Sequence, residues 1–178
     1  MVFLFGCLAP YITFLYGRET NDIYYTALLP VKKRDIVKAK CMLMVLAQMA
    51  QLTISLPFAI LRVSIQPNGN PVGIEANVAY YGFGLMIYTM FNVIFLTQFF
   101  KSAYKVGKAF LPAMIPASLA VIAMEVLVHF PGFDWLDSVA PEALLRQLPI
   151  LILGGVIYIV GMLVTYHVSA RRFEQVDL

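Results

Sequence analysis

Few side chains in this sequence are of the types that perform acid–base, nucleophilic or metal chemistry, and they do not cluster. The two histidines, His129 and His167, each lie near the end of a different apolar segment and are expected at opposite faces of a membrane. A phosphate-binding loop is missing too, because Gly107-Lys108 is followed by Ala109 and no glycine precedes this pair at the required spacing. We therefore expect no catalytic residue, no metal ligand and no cofactor bound by this chain itself.

The composition indicates a membrane protein. Of the 178 residues, 61% are hydrophobic and 13% are charged, and the mean hydropathy is +0.79. In a water-soluble domain roughly a quarter of the residues are charged, about twice the share found here. The aromatic content of 13% also excludes a disordered chain.

Five apolar runs approach the length of about 20 residues that a helix needs to cross a bilayer. They cover residues 1–16, 41–61, 79–100, 109–130 and 148–168. None of them alternates strictly between apolar and polar residues, which favours helices over barrel strands. The sequence therefore predicts an all-α polytopic transmembrane helix bundle of about five spans, forming a single domain over residues 1–178.

The positions of lysine and arginine predict the orientation of the bundle. Of the 13 basic residues, all but Arg62 and Arg146 lie in 17–40, 101–108 and the tail. Because basic connections stay in the cytoplasm, we expect the N-terminus outside and the C-terminus inside. The sequence pI of 8.9 then reflects topology, and no nucleic-acid partner is expected.

The connection between the last two apolar runs, residues 131–147, contains a signal for the start of a helix. Pro141 followed by Glu142 is typical of the first turn of a helix, and Phe133 and Trp135 suit a membrane interface. We expect a short extracellular helix over 134–147.

Polar residues within the apolar runs are candidates for a substrate pathway, because a polar group in hydrocarbon usually serves packing or transport. These candidates are Gln48, Gln51, Asn92, Glu125 and His129. Glu125 and His129 are four residues apart, so they share a helix face and can pair. Helix packing and a pathway both remain open as interpretations of this set.

Residues 17–40, called the cytoplasmic elbow below, combine both signs of charge with apolar side chains. Arg18, Glu19 and Asp22 precede the apolar residues Ile23-Tyr24-Tyr25 and Leu28-Leu29-Pro30. A helix is then expected to run from Val31 into the next span. An aromatic and aliphatic surface ringed by charges is typical of a docking site for a soluble protein. Anchoring at lipid headgroups would explain the lysines but not Glu19, Asp22 and the tyrosines.

In the cytoplasmic elbow the sequence resembles small bacterial permeases of the ABC-2 exporter class, which belong to the ABC (ATP-binding cassette) transporters. The shared pattern is a Glu after one span, an apolar segment, Leu-Pro, and then Arg, Ile-Val and Lys entering the next span. The matching residues are Glu19, Leu29, Pro30, Val31, Arg34, Ile36, Val37, Ala39 and Lys40. The tail Arg172-Phe173-Glu174 with Asp177 is similar as well.

The resemblance implies an exporter permease in the bacterial cytoplasmic membrane, surrounded by lipid and forming the substrate pathway as a homo- or heterodimer. A separate ATP-binding subunit would bind ATP and Mg²⁺ and would drive transport through the elbow as a coupling segment. The expected partner-coupling residues are Glu19, Asp22, Tyr25, Leu29, Pro30 and Arg34. The family has six spans and a cytoplasmic N-terminus, so we expect this chain to lack the first span, through upstream truncation or as a shortened member.

A function of a different class is compatible with the same surface. A non-transporting integral membrane protein, such as an immunity or sensor partner, could hold a soluble protein at the elbow. A neighbouring gene with a phosphate-binding loop would favour the transporter, and an adjacent toxin or kinase gene would favour this alternative.

Overall fold

The computed structural model describes residues 2–65, 73–102 and 105–176, which form helices joined by turns without any β-strand. The helices are α1 (Val2–Glu19), α2 (Asp22–Leu28), α3 (Lys33–Ile65), α4 (Val78–Ser102), α5 (Val106–Leu127) and α6 (Pro141–Glu174), and one 3₁₀ turn covers Asp134–Leu136. The predicted all-α transmembrane bundle is confirmed.

Within the described residues, four helices, α3 to α6, are long and apolar enough to cross a membrane. They overlap the predicted runs 41–61, 79–100, 109–130 and 148–168. The first predicted run, 1–16, falls in α1, which has 18 residues and is not among those four. A crossing by α1 stays a prediction.

The expected separate helix over 134–147 is wrong. Asp134–Leu136 form a single 3₁₀ turn, and Pro141 begins α6, which continues without a break to Glu174. Pro141 lies at the start of the helix, where its missing N–H removes no hydrogen bond. Apolar residues at helical spacing follow directly, and membrane helices tolerate an internal proline such as Pro149. The short amphipathic stretch and the last span therefore merge into one helix.

The centre of the bundle is α4, which contacts α1, α3, α5 and α6. It crosses α6 at two glycines. A Cβ atom on Gly82 would lie 2.7 Å from the carbonyl oxygen of Ile150, and a Cβ on Gly154 would lie 2.3 Å from that of Gly82. Glycine at both positions lets the two backbones touch, which is how membrane helices gain dispersion energy without a hydrophobic driving force.

Aromatic rings fill the interface between α1 and α4 toward the cytoplasmic elbow. The ring of Phe14 lies edge-on to those of Phe95 and Phe99, with centroid distances of 5.2 and 4.6 Å. Edge-to-face contacts of this kind add to the area that the rings bury. These contacts hold the end of α1, from which the cytoplasmic elbow begins, against the central helix.

The candidate coupling site and the intramembrane polar cluster

The cytoplasmic elbow folds as a short helix, α2, between two chain reversals. Asn21 precedes α2 in the left-handed region, with φ 53°, a conformation that asparagine tolerates better than most residues. Leu29 ends α2 in an extended conformation, as is usual for a residue before proline. The helix expected from Val31 begins at Lys33 and continues into the second predicted run.

Apolar side chains on and after α2 form a surface that we call the elbow patch, consisting of Tyr24, Tyr25, Leu28, Leu29 and Val31. All five are exposed, Tyr25 to 68% and Leu28 to 83%. The patch lies outside the predicted apolar runs. Exposed apolar side chains grouped in one segment are typical of an interaction site, and docking of a partner here stays a prediction.

An ion pair attaches α2 to α3. The Lys40 ammonium bonds the carboxylate of Asp22, and both side chains are partly buried. The same ammonium lies 5.6 Å from the centroid of the Phe14 ring, which adds a cation–π contact to α1. Asp22, predicted as a partner contact, therefore holds α2 within the chain. Its contact with another subunit stays a prediction.

A second set of contacts joins the start of α3 to the end of α6. The Arg34 guanidinium donates two hydrogen bonds to the Glu174 carboxylate, at 2.6 and 3.3 Å. Lys33 Nζ donates to the carbonyl oxygen of Val176 at 2.7 Å. The ring of Phe173 is fully buried against Phe100. We call these contacts the tail clamp; Asp177 lies outside the described residues.

The other predicted coupling residues are exposed. Glu19 pairs with its neighbour Arg18 at 3.3 Å on the surface. Leu29 and Pro30 lie in the open connection between α2 and α3. Together with Tyr25 they are accessible to a second protein.

Three of the predicted pathway residues form polar contacts between helices inside the bundle. The side-chain amides of Gln48 and Asn92 bond each other at 2.9 Å in both directions, and Tyr158 donates to Gln48 Oε1 at 2.8 Å. Nearby, Tyr88 donates to Gln51 Oε1 at 3.0 Å. Gln48 and Asn92 are fully buried, which matches the packing interpretation; a pathway role for them stays a prediction.

The other two candidates, Glu125 and His129, lie at the end of α5 away from the elbow. The Glu125 carboxylate accepts a hydrogen bond from the backbone N–H of Ile74 at 3.0 Å. His129 Nδ1 lies 3.0 Å from the main-chain oxygen of Glu125. His129 lies past the end of α5 at Leu127, so its pairing with the Glu125 side chain on a shared helix face stays a prediction. Glu125 fastens the connection between α3 and α4.

Metal binding has no visible basis in the part of the chain that the structure describes. Over residues 2–65, 73–102 and 105–176, no three His, Cys, Asp or Glu side chains are grouped closely enough to hold a metal ion.

Comparison with known protein families gives a match over almost the whole length. The profile of the ABC-2 family transporter protein covers residues 1–174. The chain belongs to the ABC-2 transporter family. No curated protein and no solved structure shows a significant match. The resemblance seen in the cytoplasmic elbow is thereby confirmed.

Family membership establishes the general function. This ABC-2 protein is a multi-pass membrane permease of an ABC transporter. Its family supplies the transmembrane component and is not itself catalytic, and family members work with an ATP-binding subunit. The match favours the transporter over the non-transporting immunity or sensor protein.

Sequence reasoning did not predict the contacts that three residues, Lys40, Glu174 and Tyr158, make within the permease. Lys40 and Glu174 were visible as matches to the family pattern, but their ion-pair partners Asp22 and Arg34 lie far away in sequence. Tyr158 carried no signal, because a tyrosine within an apolar run is ordinary.

Proposed function

We propose that this ABC-2 permease is the membrane-spanning subunit of an exporter in the bacterial cytoplasmic membrane. Two permease copies, identical or paralogous, form the substrate pathway, and a separate ATP-binding subunit that holds ATP and Mg²⁺ drives them. The observation that carries this proposal is the elbow patch, because an ATP-binding subunit needs an exposed surface on the membrane subunit through which to act.

The charge distribution supports a cytoplasmic position for the patch. The cytoplasmic elbow, the connection between α4 and α5, and the tail contain most of the basic residues, and such segments stay inside. With this orientation the elbow patch faces the compartment that contains ATP.

The contacts around the elbow provide a route by which movement of α2 reaches the bundle. Asp22 and Lys40 fasten α2 to α3, and Arg34 and Glu174 fasten α3 to α6. Further along α3, Gln48 bonds to α4 and α6. A displacement of α2 therefore acts on three helices through packed, hydrogen-bonded contacts, as a switch between inward- and outward-facing states requires.

The coupling residues divide into two groups by their contacts. Tyr25, Leu29, Pro30 and Glu19 are exposed and supply the surface that the ATP-binding subunit touches. Asp22 and Arg34 are bonded within the chain and position that surface. Membrane lipid and the second permease copy cover the exposed apolar faces of α3, α5 and α6.

The test is co-purification with the ATP-binding subunit. Tagged full-length permease is isolated from its native membranes, and a co-purifying protein with a phosphate-binding loop is identified by mass spectrometry. The variant Tyr25→Ala/Leu28→Ala should lose this protein, because it removes two large apolar side chains from the elbow patch.

The matched control is Tyr16→Ala/Ile12→Ala on α1. Tyr16 is exposed to 68%, the same fraction as Tyr25, but it lies in the predicted first run and outside the elbow patch. This control should retain the ATP-binding subunit. Equal recovery with both variants would show that the elbow patch is not the docking surface.

A further inference from the structure

Two chain connections at the end of the bundle away from the elbow are bonded to each other. One is segment 73–77, the described part of the connection between α3 and α4, and the other is segment 134–138, which precedes α6. The Asn77 amide donates to the carbonyl oxygens of Leu136 and Ser138, at 2.7 and 3.3 Å. We call these two bonded segments the distal cap.

Two buried amides fasten the distal cap to α4 and α6. Asn77 precedes α4, and its side-chain oxygen accepts from the backbone N–H of Tyr80 at 3.1 Å, as a helix-capping residue does. Gln147 on α6 accepts from the N–H of Ala79 at 3.2 Å and donates to the Ser138 carbonyl at 3.0 Å. Asn77 is 5% exposed and Gln147 is 0% exposed. Breaking these bonds would leave amides, carbonyls and N–H groups of the first turn of α4 without partners, which is costly.

The union of α4 with α6 continues toward the elbow. The close backbone contact between Gly82 and Gly154 follows within about two turns of the distal cap. In the last turn of α6, the Arg172 guanidinium donates to the backbone oxygen of Thr97 on α4 at 2.8 Å. The helices α4 and α6 and the distal cap are therefore fastened to one another along their length, and we call them the central body.

Charged side chains fasten α3 and α5 to the same cap. Arg62, near the end of α3, forms an ion pair with Glu75, and the two side chains are 30% and 7% exposed. The Glu125 carboxylate, near the end of α5, accepts from the N–H of Ile74 at 3.0 Å. When α3 or α5 moves away, water reaches the separated charges, and their hydration offsets the lost contact. These two contacts therefore cost less to break than the buried amide bonds.

Both α3 and α5 contain a place to bend before they reach the distal cap. The Ser55 and Tyr81 hydroxyls bond each other at 3.0 Å and hold the earlier part of α3 to α4. Pro57 follows and removes a backbone hydrogen bond of α3, which permits a bend. Pro112 and Pro116 have the same effect in α5. The far ends of the two helices can therefore move while their earlier parts stay packed.

We propose that the Arg62–Glu75 and Glu125–Ile74 contacts are a releasable latch. When the latch is closed, it holds the far ends of α3 and α5 against the distal cap. When it opens, these ends separate from the central body, which stays intact. The occasion for opening rests on the proposed function: with that orientation the distal end faces the outside, and the latch opens in the outward-facing state.

Hydrogen–deuterium exchange of the full-length permease in nanodiscs tests the latch without any other subunit. The variant Arg62→Gln/Glu125→Gln should raise exchange several-fold over 58–65 and 120–127, the far ends of α3 and α5. Exchange over 78–84 and 134–138 should stay unchanged, because the amide bonds of the central body remain. The matched control is Arg146→Gln/Glu142→Gln, which makes the same substitutions at exposed positions of α6 and should alter neither helix end.

The complex with the ATP-binding subunit tests when the latch opens. Trapping the wild-type complex with ATP and vanadate should raise exchange over 58–65 and 120–127 several-fold relative to the nucleotide-free complex, again without change over 134–138. Co-purification establishes the complex beforehand, so failure of the coupling proposal is seen separately.

Three results would overturn the proposal. An equal rise over the distal cap and the helix ends would mean that the central body does not stay together. Exchange in the latch variant no higher than in its control would mean that these contacts do not hold α3 and α5. Release in the latch variant with no change in the trapped complex would mean that the latch does not open during the transport cycle.

Discussion

The side-chain amides of Gln48 on α3 and Asn92 on α4 form a reciprocal pair of hydrogen bonds, each 2.9 Å long. Both residues are fully buried, and the Tyr158 hydroxyl from α6 bonds the same Gln48 oxygen at 2.8 Å. Three helices therefore meet at one amide pair inside an apolar bundle. An amide without a partner there would be costly, so this pair selects one rotation and one depth for each helix.

Breaking the amide pair should destabilise the bundle by a modest, measurable amount. We expect Gln48→Leu and Asn92→Leu each to lower the free energy of unfolding by about 1–2 kcal/mol, with a coupling between them of about 0.6–1.7 kcal/mol. Unfolding by dodecyl sulfate titration in mixed micelles measures both. Thr97→Val is the control, because its hydroxyl bonds a carbonyl of its own helix at 2.6 Å. A coupling near zero would contradict the role given to the pair.

The glycine crossing of α4 and α6 provides a sharp pair of variants. A Cβ on Gly154 would lie 2.3 Å from a backbone oxygen, whereas a Cβ on Gly155 has nothing within 4 Å. Gly154→Ala should lower the free energy of unfolding by about 1–3 kcal/mol through overpacking. Gly155→Ala should be neutral or stabilising by up to about 1 kcal/mol, because alanine favours the helix. Equal effects in the same titration would refute this close contact between the helices.

The tail clamp should respond to exchange of its charges. Arg34→Glu places two carboxylates together and should increase hydrogen–deuterium exchange of the backbone over 170–176. The swapped variant Arg34→Glu/Glu174→Arg should restore protection, because the opposite charges face each other again. Lys38→Glu, one turn along α3, is the control for charge alone. Failure of the swap to restore protection would show that Arg34 does not hold the tail.

Labelling from outside intact cells checks the orientation. Glu142→Cys, at the exposed start of α6, should react with a membrane-impermeant maleimide, and Lys32→Cys in the elbow should react only after permeabilisation. The native thiols of Cys7 and Cys41 are buried, which keeps the background low. Labelling of Lys32→Cys in intact cells would invert the topology and remove the elbow from the reach of ATP.

The general architecture and the candidate docking segment could be predicted from local signals. Hydropathy located α3 to α6, because about 20 apolar residues suffice to mark a span. Pro30 predicted a helix from Val31 into the next span, because proline is favoured at the start of a helix, and α3 begins two residues later at Lys33. The separate outer helix over 134–147 was wrong, since the sequence contains a clear start at Pro141 and no comparably clear signal of where that helix ends.

The roles of individual polar residues needed the tertiary structure. Asp22 and Arg34 were both predicted as contacts for a partner. Charged residues in a segment outside the membrane are usually solvated, and solvated side chains are accessible to a second protein. The structure pairs them with Lys40 and Glu174 within the chain. Glu125 and His129 were expected to share a helix face, but α5 ends at Leu127, before His129, and the carboxylate of Glu125 reaches the backbone of Ile74, which precedes α4.

The sequence by itself determined that this protein is an all-helical membrane permease of the ABC-2 family. Hydropathy, charge bias and the elbow pattern are properties of neighbouring residues, so they can be read without coordinates. Only the tertiary structure decided which distant side chains meet, as Gln48 meets Asn92 and Arg34 meets Glu174. Such pairs depend on the rotation and depth of each helix, which packing of the whole bundle sets.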